Sequence, residues 1–323
     1  MSARFAIAAA VMCMALSTAH GRITAAENAY WASHGLGIVQ SGQQAGRVVT
    51  WFSGNQTMDG YVAAPPKGAK PTAAVIIFTD IYGFTLNNTR LWADRLAAAG
   101  GFLVIVPDFF RGDPVTEATR PMMAEWRLRH PRERVLDDFE AIVAEVKRTN
   151  PAITKIFQQG FCWGGLYSGL LSGPTAPKVD AAVGFHTSGL TPEIIDAVAG
   201  PISLQQADPT LDNAVNVTFY DYINTTFAAK RAEGIHAYAT YYPNMPHGFA
   251  LRGNLSDPAW LKASTTAFNE GVAFLKKHVA PAHSAADHAA MMAKGAKAGA
   301  AKGAAPKGVA TKAMPGMGGM AMP

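Results

Sequence analysis

The stretch Gly160-Phe161-Cys162-Trp163-Gly164-Gly165 has the clearest chemical potential in this 323-residue chain. It follows a β-rich run at residues 154–158 and opens a helical stretch at residues 165–172. A nucleophile between glycines at such a strand-to-helix turn is thrust out at its tip, above a helix N-terminus that favours both a thiolate and an oxyanion. Glycine is needed on either side because a β-carbon there would strike the neighbouring strand or helix. A thiol nucleophile also requires a histidine to handle its proton and an acid to orient that histidine. Asp208, in Gln206-Ala207-Asp208-Pro209, and His247, in Pro246-His247-Gly248-Phe249, follow Cys162 in the order nucleophile, acid, histidine. Asp212 shares a loop with Asp208 and is the alternative acid. Such a set performs acyl transfer through a thioester.

Strands and helices must alternate to bring these residues together, and the hydrophobic pattern predicts that they do. Residues 47–52 and 60–64 read as an opening pair of strands. Residues 73–78 are continuously apolar, as expected of a strand covered on both faces. A helix over 85–99 ends at Gly100-Gly101, and a strand follows at 102–106. Residues 134–147 form an amphipathic helix with Val135, Phe139, Ile142 and Val146 on one stripe. Further strands are expected at 181–185, 202–206 and 236–242, with helices over 220–231 and 259–277. This alternation implies one α/β domain, a mostly parallel central sheet flanked by helices, with ligands at the carboxyl ends of the strands. Asp208 and His247 each fall just past a strand, on the same edge as the elbow.

The ends differ in composition from this body. Residues 1–19 hold one cation, Arg4, then an apolar run and Ser17-Thr18-Ala19, which reads as a signal peptide and an exported, periplasmic or secreted, protein. Residues 20–46 read as an N-terminal extension, 47–281 as the catalytic domain and 282–323 as a disordered tail. That tail is rich in Ala, Gly, Lys and Met and has no Phe, Trp, Tyr, Leu or Ile. The formal charge of +5 belongs to Arg4 and to five tail lysines set against Asp287, so residues 20–281 are neutral. A neutral body argues against a specific nucleic-acid partner. Of the two cysteines, Cys13 lies in the leader, leaving Cys162 alone in a mature protein. That excludes an internal disulfide framework, a Cys-ligated zinc site and an iron–sulfur protein.

With those residues in view, the chain from about 47 to 277 resembles the dienelactone hydrolase family of α/β-hydrolases. The motifs that carry the resemblance are Phe78-Thr79-Asp80-Ile81-Tyr82-Gly83, Pro107-Asp108-Phe109-Phe110-Arg111-Gly112-Asp113-Pro114, the cysteine elbow, and His247-Gly248-Phe249-Ala250-Leu251-Arg252-Gly253. The resemblance implies an α/β-hydrolase fold and a carboxymethylenebutenolidase-like hydrolase with no cofactor and no metal. It implies a triad of Cys162, Asp208 and His247, with the backbone N–H groups of Ile81 and Trp163 as the oxyanion hole. Asp80 stands where the family has a thiol-contacting carboxylate, usually glutamate. Arg111 and Arg252 match arginines that hold a substrate carboxylate, and Tyr82 is placed beside them. The substrate so implied is a small activated ester or lactone that carries a carboxylate.

Other features point elsewhere. His186 also ends a strand and reads as a satisfied structural histidine, since it precedes the acid in the chain. The tail carries Met291, Met292, Met314, Met317, Met320 and Met322, whose thioethers suit Cu(I), and lysines that suit an anionic surface. An exported copper-binding accessory protein and a redox-active thiol at Cys162 are therefore the alternatives to a hydrolase.

Overall fold

Six consecutive apolar residues make the centre of the sheet. In the computed structural model, which describes residues 40–279 apart from 55, 117 and 175–178, they form β3 (Ala73–Phe78), and every one is buried. Alternate side chains leave on opposite faces, as strand geometry requires. Val75 and Ile77 enter one core, and Ala74, Ile76 and Phe78 the other. The remaining strands are β1 (Arg47–Ser53), β2 (Gln56–Ala63), β4 (Leu103–Pro107), β5 (Lys155–Phe161), β6 (Ala181–Phe185), β7 (Ile202–Gln206) and β8 (Ala237–Tyr241). They lie in the order β1-β2-β4-β3-β5-β6-β7-β8. The β1–β2 and β2–β4 pairs are antiparallel, and all pairs from β4 to β8 are parallel.

Helices cover both faces, as a parallel sheet demands. Helix α1 (Asn87–Gly100) places Trp92, Ala93 and Leu96 in the first core, where α8 (Pro258–Lys277) adds Phe268, Val272 and Leu275. Trp92 packs edge-on against Phe161, Phe185 and Phe268 at 4.9–5.1 Å between ring centroids. The second core takes Val135, Phe139, Ile142 and Val146 from α3 (Arg132–Thr149), the stripe that the periodicity predicts. It also takes Tyr167 and Leu171 from α4 (Trp163–Leu171), and Ile223 and Phe227 from α6 (Val217–Ala232). Helix α1 stops where Gly101 turns left-handed at φ 72° and its N–H reaches Ala97 O, a glycine cap of the expected kind.

Three short helices have no counterpart in the sequence reading. They are α2 (Met123–Arg129), which a 3₁₀ turn at Arg120–Met122 leads into, α5 (Pro192–Asp196) and α7 (Phe249–Arg252). Helix α2 buries only Trp126, so it has no apolar stripe for periodicity to find. The leader and tail readings, including the copper-binding methionines, fall outside the described residues. Among the described residues no helix is long and apolar enough to cross a membrane.

Candidate active site

Strand β5 runs through Phe161, and the chain then reverses into α4 across a single residue, Cys162, at φ 52° and ψ −113°. A β-branched or bulky residue would be strained in this left-handed conformation. The glycines around it are fixed by contact. A β-carbon on Gly160 would collide with the Gly164 carbonyl, one on Gly164 with the Phe78 carbonyl, and one on Gly165 with Thr187. The turn is stapled to β3 by Gly164 N–H donating to Thr79 O at 3.1 Å, and to β6 by Cys162 N–H donating to Phe185 O at 3.1 Å.

His247 stands on the loop between β8 and α7, and its Nδ1 lies 2.8 Å from Asp212 Oδ2. The other oxygen of Asp212 accepts from Ala214 N–H at 2.9 Å. Asp208 is therefore not the partner of His247, contrary to the expectation. Its Oδ1 accepts from the N–H and hydroxyl of Thr210, and its Oδ2 accepts from Asn244 N–H at 2.8 Å. Its N–H donates to Met245 O at 2.8 Å. These bonds brace the β7 loop against the turn that precedes His247. The physical reason for the difference is one helical turn: Leu211 and Asp212 N–H groups both donate back to Asp208 O. The chain thus winds once, turning the second carboxylate to the histidine while the first folds onto backbone.

The electrostatics couple cysteine and histidine. Burial alone pushes the His247 imidazolium down, but Asp212 and the Cys162 sulfur outweigh it and push its pKa up to about 10. Burial raises the thiol, yet the His247 hydrogen bond and charge, with help from Ser188, carry Cys162 below its ordinary value. Both shifts favour a thiolate–imidazolium pair.

Asp80 lies on the β3 loop, fully buried. Its Oδ2 accepts from Arg252 Nε at 2.9 Å and its Oδ1 from Tyr82 N–H at 3.0 Å. The carboxylate is thus held by Arg252 and backbone, without a hydrogen bond to the thiol. Burial raises its pKa above the ordinary carboxylate value, a rise that Arg252 and the Tyr82 N–H offset only in part. The Arg252 guanidinium lies over the Tyr82 ring, 5.0 Å from its centroid, and Tyr82 itself is buried. The Ile81 and Trp163 N–H groups donate to no backbone or side-chain acceptor of the described residues, while Ile81 O is fixed by Val115 N–H at 2.8 Å.

Arg111 departs from its expected place. It is left-handed at φ 53°, and its guanidinium meets Asp138 on α3 at 2.6 Å and Thr57 O on β2. Asp138 is buried and also binds Arg134, so Arg111 shares this carboxylate with Arg134. Asp113, its nearest acid in sequence, pairs instead with Arg129 and His130.

His186 is buried and, contrary to the expectation, not satisfied, because neither ring nitrogen has a hydrogen-bond partner. Its ring lies 5.1 Å from that of His247, nearly perpendicular. Burial, with the charges of His247 and Arg252, holds its pKa well below the ordinary histidine value, so the ring is neutral. Residues missed in the sequence include Trp126 and Met123: Trp126 forms a small core with Phe110 and Val115, and Ile81, Met123 and Trp163 pack against it. Phe84, Phe110 and Phe249 are buried in the packing. Among the described residues no three His, Cys, Asp or Glu side chains are placed to hold a metal.

The chain as a whole is similar to known proteins. A family model described as "Dienelactone hydrolase family" matches residues 58–279. The hydrolase pyvD of Aspergillus violaceofuscus is 27% identical over 221 residues, covering 68% of this chain and 86% of that protein. A carboxymethylenebutenolidase homolog of Rattus norvegicus is 36% identical over 131 residues, 39% of this chain and 50% of that protein. Among solved structures, a dienelactone hydrolase candidate from Klebsiella pneumoniae superposes with a TM-score of 0.59 at 20% identity, over 71% of this chain and 98% of that one. The carboxylesterase EstE1 from a metagenomic library gives 0.53 at 14% identity, over 75% and 92%. At such identities these two report the fold, which is that of the α/β-hydrolases.

Proposed function

Because the chain belongs to the dienelactone hydrolase family and is thereby a hydrolase of ester or lactone bonds, we propose that it works through Cys162, His247 and Asp212 by way of a thioester. The observation that carries this reading is the 2.8 Å pairing of His247 Nδ1 with Asp212 beside a cysteine at the tip of a glycine-caged elbow. Asp212 fixes the imidazole so that its other nitrogen serves the sulfur.

The thiolate adds to the carbonyl carbon, and the carbonyl oxygen takes the negative charge between the Ile81 and Trp163 N–H groups. The carbon–oxygen bond to the leaving group breaks, and the His247 proton goes to that oxygen. A water molecule then gives its proton to His247 while its oxygen bonds to the thioester carbonyl. The carbon–sulfur bond breaks, the electron pair returns to sulfur, and the thiolate–imidazolium pair is restored. A stabilised thiolate is expelled more easily than an alkoxide from the first intermediate, which favours substrates whose leaving group is an enolate or a phenolate. Small activated esters and lactones are the substrate class that fits. Both arginines read as carboxylate anchors are ion-paired with a buried aspartate, and Arg252 keeps the role because it lies over Tyr82 and its charge acts on His186 beside His247, while Arg111 is held on α3 by Asp138.

The test is hydrolysis of a panel of lactones and aryl esters, with and without a carboxylate, by the full chain and by Cys162→Ala. Turnover lost in the variant, with an acyl adduct on Cys162 seen by mass spectrometry, is the expected result. Turnover that survives Cys162→Ala refutes it. Export belongs to the same reading and rests on residues 1–19. N-terminal sequencing of protein recovered outside the cytoplasm is expected to begin at His20.

A further inference from the structure

The loop that follows β6 carries two unfavourable features in one residue. His186 sits at φ 36°, in the left-handed region, and it is fully buried with both ring nitrogens unpartnered. Each feature costs free energy, and such costs persist where the surroundings enforce them for a purpose. On either side of His186 the loop is tied down. Cys162 N–H donates to Phe185 O, and Ser188 N–H returns the bond to Cys162 O at 2.9 Å. Between them Thr187 N–H donates to Gln206 Oε1 at 3.0 Å, and Gln206 Nε2 donates to Thr187 Oγ1 at 2.7 Å. What this clasp presents is Ser188, half-buried, with its hydroxyl oxygen 3.6 Å from the Cys162 sulfur.

We propose that Ser188 is a catalytic residue whose hydroxyl donates to the Cys162 sulfur whenever that sulfur is anionic, in the resting thiolate and again as it leaves the acyl-enzyme. The inference deepens the hydrolase reading above and rests on it for the second of these steps. A hydroxyl oxygen can donate or accept, but a thiolate only accepts, so the pair has one sense. A thioester sulfur is a weak acceptor. The bond is therefore strong before acylation, slack in the intermediate, and strong again as the carbon–sulfur bond breaks and the pair returns to sulfur. The charged and titratable groups around the sulfur are His247 with Asp212 behind it, Asp80 balanced by Arg252, and the neutral Tyr82 and His186. Among the described residues Ser188 is the side-chain hydroxyl bonded to it.

Removing the donor acts unequally on the two chemical steps. A less stabilised thiolate is a better nucleophile, with a Brønsted slope of roughly 0.4–0.5, so acylation at high pH gains a little. Deacylation loses the same hydrogen bond where it matters most. In Ser188→Ala the inflection of Cys162 alkylation by iodoacetamide against pH is expected to rise by about one pH unit, and the deacylation rate of a p-nitrophenyl ester to fall about tenfold. The burst of p-nitrophenolate grows more distinct as a result. Ser188→Thr, which keeps the hydroxyl, is expected to restore both values, and circular dichroism confirms that each variant is folded. An unmoved alkylation inflection and an unmoved deacylation rate in folded Ser188→Ala overturn the proposal, as does Ser188→Thr behaving like the alanine variant. Alkylation needs no ester. A shifted inflection in a protein that turns over no ester supports the thiolate contact and overturns the hydrolase reading instead.

Discussion

Asp208 and Asp212 separate cleanly by substitution, because each carboxylate has its own partners. In Asp212→Asn the amide replaces the oxygen 2.8 Å from His247 Nδ1. His247 is lifted from 6.5 to about 10, a rise worth roughly 5 kcal/mol at 1.36 kcal/mol per unit. Asp212 shares that lift with the Cys162 sulfur, and its part is lost with the carboxylate. An amide N–H facing Nδ1 also selects the wrong tautomer. The expected loss in kcat/KM for an aryl ester is therefore about 10²–10³-fold. Asp208→Asn leaves His247 paired and weakens bonds to Thr210 and Asn244. It should cost about 1–2 kcal/mol of stability, lower Tm by roughly 2–6 °C, and change kcat/KM less than about fivefold well below Tm. Initial rates with thermal unfolding for both variants decide the matter. If Asp208→Asn collapses activity while folded and Asp212→Asn does not, the assignment of the acid is wrong.

Further outcomes follow from the same geometry. The activity of the wild type should hold on the alkaline side until the pH passes about 10, where the His247 imidazolium deprotonates, and Asp212→Asn should draw that limb down in a pH–rate profile. Because His247 is raised above its unfolded value, the stability it contributes is complete below roughly pH 6.5 and is lost as the pH climbs through about 10; urea titrations across that range read it. His186→Phe removes two unpartnered buried nitrogens and is expected to raise stability by about 1–3 kcal/mol, measured by chemical denaturation. Arg111→Ala leaves buried Asp138 with less compensation, so it should destabilise by about 1–3 kcal/mol while the ratio of KM values for carboxylate-bearing and neutral esters stays unchanged.

How far the sequence reveals this molecule depends on the range of each interaction. The elbow is legible because its requirements are local: glycine where a β-carbon would strike backbone, and a nucleophile between them. Strand β3 and the stripe on α3 are legible because burial imposes a period. The acid is not, because Asp208 and Asp212 sit one turn apart on a single loop and only backbone winding decides which faces His247. Arg111 is illegible for another reason: its partner, Asp138, comes from a distant helix, and no local spacing announces that pair. His186 looks like any strand-end histidine in sequence, and its missing partners appear only once the loop is packed.

The contact that stiffens the elbow joins Gly164, in the first turn of α4, to Phe78 at the end of β3 and Thr79 just beyond it, far apart in the chain. Cys162 therefore acquires its backbone geometry when β3 and β5 dock, and its imidazolium neighbour and anionic character only when the β7 and β8 loops bring Asp212 and His247 beside it. A nascent or unfolded chain holds an ordinary cysteine, mostly protonated at neutral pH. Reactivity toward an electrophile at mildly acidic pH thus marks molecules that have completed the central sheet. The thiol is its own folding reporter, usable in crude mixtures, where label incorporated at such a pH counts native protein without an assay for turnover.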